Sequence, residues 1–214
     1  QTSPLSKLQA LQSLKVLAKL HAVAWEDVEL LKRVAQRLHR RACYWELERR
    51  GDGELKQIQP HWTAYCQAFG VMAPELRGPE LQGLGRRLEA QAEDLARQLR
   101  VEPESPFATL VHGDYKAMNV FLPLYELESA IPIDFQWTGV GFAMLDVAMH
   151  CCHSVDSTVL EGDGEEELIQ TYHQALLQCL KDQGKSVAAN AYTIDVARLH
   201  YQLAFLDYAR MVIS

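Results

Sequence analysis

Apolar residues recur every three or four positions over most of the chain, which is the spacing of helices that bury one face. Val28, Leu31, Val34, Ala35 and Leu38 follow it, and so do Leu81, Leu84, Leu88, Leu95 and Leu99. The opening stretch QTSPLSKLQALQSLKVLAKL predicts a helix with Ser3 as N-cap and Pro4 at its first position, carrying Leu5, Leu8, Leu11, Leu14 and Leu20 down one side. Breaks fall at Gly51-Asp52-Gly53, Gly70, Gly78-Pro79, Gly162-Asp163-Gly164 and Gly184. Glu165, Glu166 and Glu167 follow one of these breaks, where their charges suit the positive end of a helix.

The pattern changes between 107 and 137. Phe107, Leu110 and Val111 read as a short strand, Val120, Phe121 and Leu122 as a second, and AIPIDFQW, Ala130 to Trp137, as a third. If the chain turns over PLYELES, Pro123 to Ser129, the last two form a hairpin. The fold class predicted is α+β, mostly α, with a small central hairpin flanked by helices.

The polar residues inside this region raise a chemical question. LVHGDYKAMNVFL, Leu110 to Leu122, sets His112, Gly113, Asp114, Lys116 and Asn119 between apolar runs, on a loop braced at both ends. The hairpin is expected to bring Asp134 beside Asp114 and Asn119. Phosphoryl transfer from ATP needs one carboxylate to accept a hydrogen bond from the attacking hydroxyl. It also needs hard oxygen ligands for the magnesium ions that bridge the phosphates. Asp114 fits the first role, and Asn119 and Asp134 the second. Asp, four residues, Asn, then a strand and Asp-Phe follows the order of the protein-kinase signature.

With Gly113 after the histidine, the loop resembles the aminoglycoside phosphotransferase and choline kinase branch of the kinase-like fold. IDFQWTGVGFAMLDVAMH, Ile133 to His150, is similar to the ecdysteroid kinase-like proteins within it, and LAKLHAVAW, Leu17 to Trp25, resembles a helix those families carry ahead of the loop. The resemblance implies Asp114 as base, Asn119 and Asp134 as Mg2+ ligands in an ATP site, and Lys116 near the transferring phosphate. It implies His112 as a brace of the loop, and Asp146 as a helix-start carboxylate hydrogen-bonded to the loop backbone. Gln136 stands where protein kinases have a hinge glycine, so their loop-flip regulation is not expected. Nothing ahead of His112 reads as a glycine-rich loop or a strand lysine. The chain is therefore read as a kinase-like carboxy-terminal lobe without its nucleotide-covering partner: a helical part over 1–106, the catalytic loop and metal-binding hairpin over 107–137, and carboxy-terminal helices over 138–214.

Composition narrows the function further. A chain of 214 residues, 48% hydrophobic, can bury a substantial core, and its net charge of −7 argues against nucleic acid as a partner. No apolar run reaches the roughly 18 residues of a membrane span. Five cysteines without a disulfide-like framework favour a reducing, intracellular compartment, the cytoplasm first, with organelle targeting left open by the truncated start. HCCH, His150 to His153, points around a helix and suits core packing rather than zinc. Arg33, Arg37, Arg40, Arg41, Arg49 and Arg50 read first as a solvated face, then as a site for an anionic substrate or RNA. His21 and Trp25 stand four apart on one predicted helix, within reach of each other, and packing is the simpler role for both. The function expected is an ATP-dependent phosphotransferase acting on the hydroxyl of a small molecule, whether choline, a sugar, an antibiotic or a steroid alcohol. The alternative is a non-catalytic scaffold or subunit with protein assembly partners.

Overall fold

The structure, a computed structural model, describes residues 4–51, 53–122 and 130–214. The helices among them are α1 (Lys7–Val23), α2 (Val28–Arg37), α3 (Leu47–Arg50), α4 (Ile58–Phe69), α5 (Pro79–Gln82) and α6 (Leu84–Gln98). After the strands come α7 (Met144–Ser154), α8 (Ser157–Leu160), α9 (Gly164–Asp182), α10 (Ser186–Ala191) and α11 (Ile194–Ile213). The strands are β1 (Ala108–Val111), β2 (Val120–Phe121), β3 (Ile131–Pro132) and β4 (Gly139–Phe142). The fold is α+β and mostly α, as the sequence pattern predicts.

The strands form two nested antiparallel ladders. β1 pairs with β4, Val111 opposite Gly139, and inside that pair β2 runs against β3, Phe121 opposite Ile131. Nesting has a direct consequence for the site. The segment from 112 to 119 joins the outer ladder to the inner one on the way in, and the segment from 133 to 138 does so on the way out. The two polar stretches therefore face each other. The hairpin over 120–132 is present, although its turn, Pro123 to Ser129, lies outside the described residues. Its return strand is shorter than AIPIDFQW suggests: the Ile133 N–H still donates to the Asn119 carbonyl, and Asp134, with φ of +63°, then leaves the extended backbone. β4 is absent from the sequence reading: its glycines do not look like a strand. Gly139 is needed because a Cβ there would meet the His39 carbonyl oxygen at 2.5 Å.

α1 starts three residues later than predicted. Ser6, not Ser3, is its N-cap, and Gln9 completes a capping box by accepting from the Ser6 N–H at 3.0 Å. Ser3 lies outside the described residues, Pro4 precedes the helix, and Leu5 bridges to Val155. The buried face shifts accordingly: Ala10, Ser13, Leu14, Leu17, Ala18 and His21 point inward, while Leu8 is exposed. Each fully buried leucine contributes about 1.5–3 kcal/mol through the area it takes out of water. α1 packs along α9, and α7 along α11. The three glutamates do occupy the first turn of α9, and they also form ion pairs and a hydrogen bond: Glu166 with Arg198, Glu167 with Lys7, and Glu165 with the Tyr201 hydroxyl.

Other clusters resolve as packing. His150 and Cys151 of HCCH are fully buried on α7, Cys152 and His153 are exposed, and no metal-holding group of His, Cys, Asp or Glu occurs among the described residues. α1 ends before Trp25, so His21 and Trp25 do not share a helix face. Trp25 instead packs on Tyr192 and Phe107. Arg210 of α11 is fully buried. It donates to Asp207 at 2.9 Å and to the Trp45 carbonyl at 2.7 Å, which ties α11 to the segment ahead of α3.

Burial sets an acid limit to stability. It pushes the imidazoles of His150 and His200 from the ordinary 6.5 down to about 4. Both are neutral in the fold and take up protons in the unfolded chain, so their contribution is complete above pH 6.5 and is lost as pH falls from there to about 4. Thermal melts across this window should show a steep fall in Tm, made shallower in His150→Gln. An unchanged slope in that variant would show that His150 is protonated without cost.

Candidate functional site

The loop after β1 is shaped by one glycine and one carboxylate. Gly113 has φ of +81°, and a Cβ there would meet the Trp137 carbonyl oxygen at 2.2 Å and the Cys43 nitrogen at 2.7 Å, so only glycine fits. Asp146, in the first turn of α7, reaches back to this point. Its Oδ2 accepts from the His112 N–H at 2.7 Å and its Oδ1 from the Gly113 N–H at 2.8 Å. His21 of α1 closes the far side, with Nε2 3.1 Å from Asp146 Oδ2 and Nδ1 2.6 Å from the Tyr172 hydroxyl. All of these groups are buried.

His112 joins the two facing segments. Its Nε2–H donates to the Ile133 carbonyl at 2.9 Å while Nδ1 accepts from the Asp114 N–H at 3.3 Å, which fixes one tautomer and uses both nitrogens. The Ile133 N–H donates to the Asn119 carbonyl at 2.9 Å. Ile133 is thus held on both sides by the loop, and Asp134 follows it directly. Further anchors come from elsewhere in the fold. Thr138 Oγ1 donates to the His112 carbonyl at 3.2 Å, Ser154 Oγ accepts from the Ala117 N–H at 2.8 Å, and the buried Tyr115 hydroxyl donates to the Ser13 carbonyl at 2.9 Å.

Asp114 is 2% exposed and sits at the centre of the polar group. Its Oδ2 accepts from Lys116 Nζ at 2.9 Å and from Asn119 Nδ2 at 2.9 Å. Its Oδ1 is buried and has no hydrogen-bond partner among the described residues. A buried carboxylate oxygen without a donor costs on the order of 1–3 kcal/mol, and it is the acceptor atom that Asp114 has left to offer. Asn119 spends its amide nitrogen on Asp114, through both the carboxylate and the backbone carbonyl, which leaves the amide oxygen as the atom it can offer. Asp134 differs from both. It is exposed, among the described residues it has only the Gln136 amide at 3.5 Å, and its φ of +63° is a strained conformation for a non-glycine residue.

Asp114 and Lys116 open into a cleft of about 550 Å³ whose other walls are Tyr44, Arg49, Arg50, Glu54, Gln136 and Trp137. Burial pushes the Tyr44 phenol up, and the Asp114 charge pushes it further in the same direction. Sequence reasoning gave no role to Tyr44, Trp137, Thr138 or Ser154. His21 and Arg49 were visible only as members of a helix and of a basic run. A buried-histidine signal was available at His21, four residues before Trp25 in the stretch that carries the family likeness.

The family model for the ecdysteroid kinase-like family matches residues 1–185, which takes in α1, the nested strands, α7, α8 and α9. The chain belongs to the ecdysteroid kinase-like family. Membership carries kinase-like phosphotransferase activity as the general chemistry of this chain's relatives. No curated protein matches the sequence. Among the described residues of this family member, no helix is long and apolar enough to cross a membrane.

Proposed function

We propose that this chain carries the catalytic base and the magnesium ligands of an ATP-dependent phosphotransferase acting on the hydroxyl of a small molecule. The observation that carries the reading is the divided state of Asp114. One oxygen is fixed by Lys116 and Asn119, the other is buried and without a hydrogen-bond partner among the described residues, and the residue itself lines an open cleft. An acceptor hydroxyl that enters the cleft donates its hydrogen bond to Oδ1. Its oxygen is thereby oriented for attack on the terminal phosphorus of ATP, the bond to the ADP oxygen breaks, and the hydroxyl proton passes to Asp114. Lys116 holds the carboxylate in place and has N–H groups to spare for the transferring phosphoryl group.

The donor set fits magnesium. The Asn119 amide oxygen and the Asp134 carboxylate are hard oxygen ligands, and the nearby imidazole of His112 has no free nitrogen. When held by Asn119 and Asp134, magnesium would supply positive charge against the negative charge of the nucleotide phosphates. His112 and Asp146 are positioning residues, since their contacts are with loop backbone.

Phosphate transfer from ATP to a panel of alcohols tests the activity, and metal dependence tests the ligand assignment. Asp134→Ala should weaken magnesium-ATP binding by about tenfold or more, equivalent to ~1.4 kcal/mol, and leave metal-free ATP binding nearly unchanged. Titration calorimetry with and without magnesium reads the difference. Equal losses in both conditions would assign Asp134 to folding.

A further inference from the structure

The catalytic cleft contains a cation that the proposed reaction does not use. Three basic side chains line it, and two are matched: Lys116 by Asp114 at 2.9 Å, and Arg50 by Glu54. Among the described residues, Arg49 has no carboxylate partner. It is instead built into a bracket of aromatic and polar groups. Its guanidinium carbon stands 5.2 Å from the centre of the Trp137 ring, its Nη1 donates to His39 Nδ1 at 3.3 Å, and its Nη2 donates to the Arg41 carbonyl at 3.2 Å. His39 is itself stacked on Trp137 at 5.3 Å and fixed by donation from Nε2 to the Gln136 carbonyl at 2.9 Å. Only part of the donor fork is spent, and the rest of the planar guanidinium is held in one orientation.

Within the same basic run, Arg33 and Arg37 also lack a carboxylate among the described residues but do not line the cleft, and the residues nearest the cleft are paired. Arg40 pairs with Glu102, and Arg41 with Glu46 and Glu48. Arg49, at the edge of the site, is left without a carboxylate among the described residues. The cleft also has a side. Neither Asn119 nor Asp134 lines it, so on the proposed mechanism it lies on the acceptor side of Asp114 and not on the side of the metal and nucleotide.

Resting on the phosphotransferase reading, we infer that the acceptor is a hydroxyl compound with an oxyanion of its own. Arg49 grips that group as a carboxylate, phosphate or sulfate, and Tyr44 and Trp137 flank the body between anion and hydroxyl. A guanidinium fork matches such groups with paired N–H donors, and pre-stacking on Trp137 reduces the rotamer freedom lost on binding. Arg49 is then a specificity residue, separate from the groups that move the phosphate.

The test compares para-(hydroxymethyl)benzoate with para-(hydroxymethyl)benzamide, which match in shape and differ in charge. Calorimetric titration of the full chain should show the acid binding about tenfold tighter than the amide, the low end for a charge-assisted hydrogen bond in an open cleft. Arg49→Gln should abolish that preference, and Arg49→Lys should retain part of it through charge alone. For the unaltered protein, added salt should weaken the acid and leave the amide alone, which tests the idea even where a variant fails to fold. Equal binding of the two probes, no saturable binding of the acid, or a preference that survives Arg49→Gln would each overturn the inference. So would an Arg49→Gln variant that loses magnesium-ATP affinity with the acid preference intact. Arg49-dependent binding of the acid without phosphate transfer to it would sink the phosphotransferase reading and leave the oxyanion site standing. Transfer to both probes with no dependence on Arg49 would do the reverse.

Discussion

Asp114→Asn is expected to remove turnover by about 100 to 10,000-fold in the protein that carries this chain, the usual contribution of a general base. The substitution is nearly isosteric, so the hydrogen bond to Lys116 can persist through the amide oxygen, and the fold has little reason to change. Catalysis has much more at stake. An amide placed with its nitrogen toward the cleft offers a donor where the incoming hydroxyl also needs an acceptor, and it cannot take the proton. ATP and magnesium affinities should stay within a few-fold, because the proposed ligands are Asn119 and Asp134. Near-normal transfer to any accepted alcohol would show that another group serves as base.

Asp146→Ala should produce the largest loss of stability of any single change at the site. It strips acceptors from two buried backbone N–H groups, at His112 and Gly113, and removes the partner of the buried His21 imidazole. Each orphaned buried group costs about 1–3 kcal/mol, and breaking a buried charged network typically costs ~3–5 kcal/mol in total. That is a large share of the roughly 5–15 kcal/mol that holds most domains together. Urea denaturation would measure it. A loss below about 1 kcal/mol would mean that the loop backbone finds water in place of the carboxylate.

The sequence carried the candidate loop more clearly than the scaffold around it, and the reason is range. Asp114, Lys116 and Asn119 lie within one short segment, so their spacing alone is enough to suggest that they meet. Asp134 was reachable through the hairpin, because Val120 to Leu122 and Ala130 to Ile133 are apolar runs separated by a turn-length gap. The outer ladder left no such trace. β4 reads Gly-Val-Gly-Phe, and its glycines answer to close approach by the His39 backbone, a contact across a hundred residues of chain. Trp137 and Tyr44 share a cleft wall for the same non-local reason. At α1 the misjudged start had a local cause. Ser3-Pro4 and Ser6 with Gln9 are both plausible beginnings, and the reciprocal capping box at Ser6 wins because it satisfies more free N–H groups.

The partners of His21 bear on how the molecule assembles. Its imidazole joins residues 125 and 151 positions away, and the Ser13–Tyr115 link spans 102. Bringing such distant stretches together costs loop-closure entropy before any contact rewards it, and chains rich in long-separation contacts fold slowly. The segment around Asp114 has few local reasons to take its shape: Gly113 is in a left-handed conformation, and most of its supports arrive from α1 and α7. A nascent chain that has emerged only as far as β4 holds Asp114, Lys116 and Asn119 without the Asp146 carboxylate that orders their loop. The loop around Asp114 therefore takes its final shape late, after α7 and α9 have joined α1.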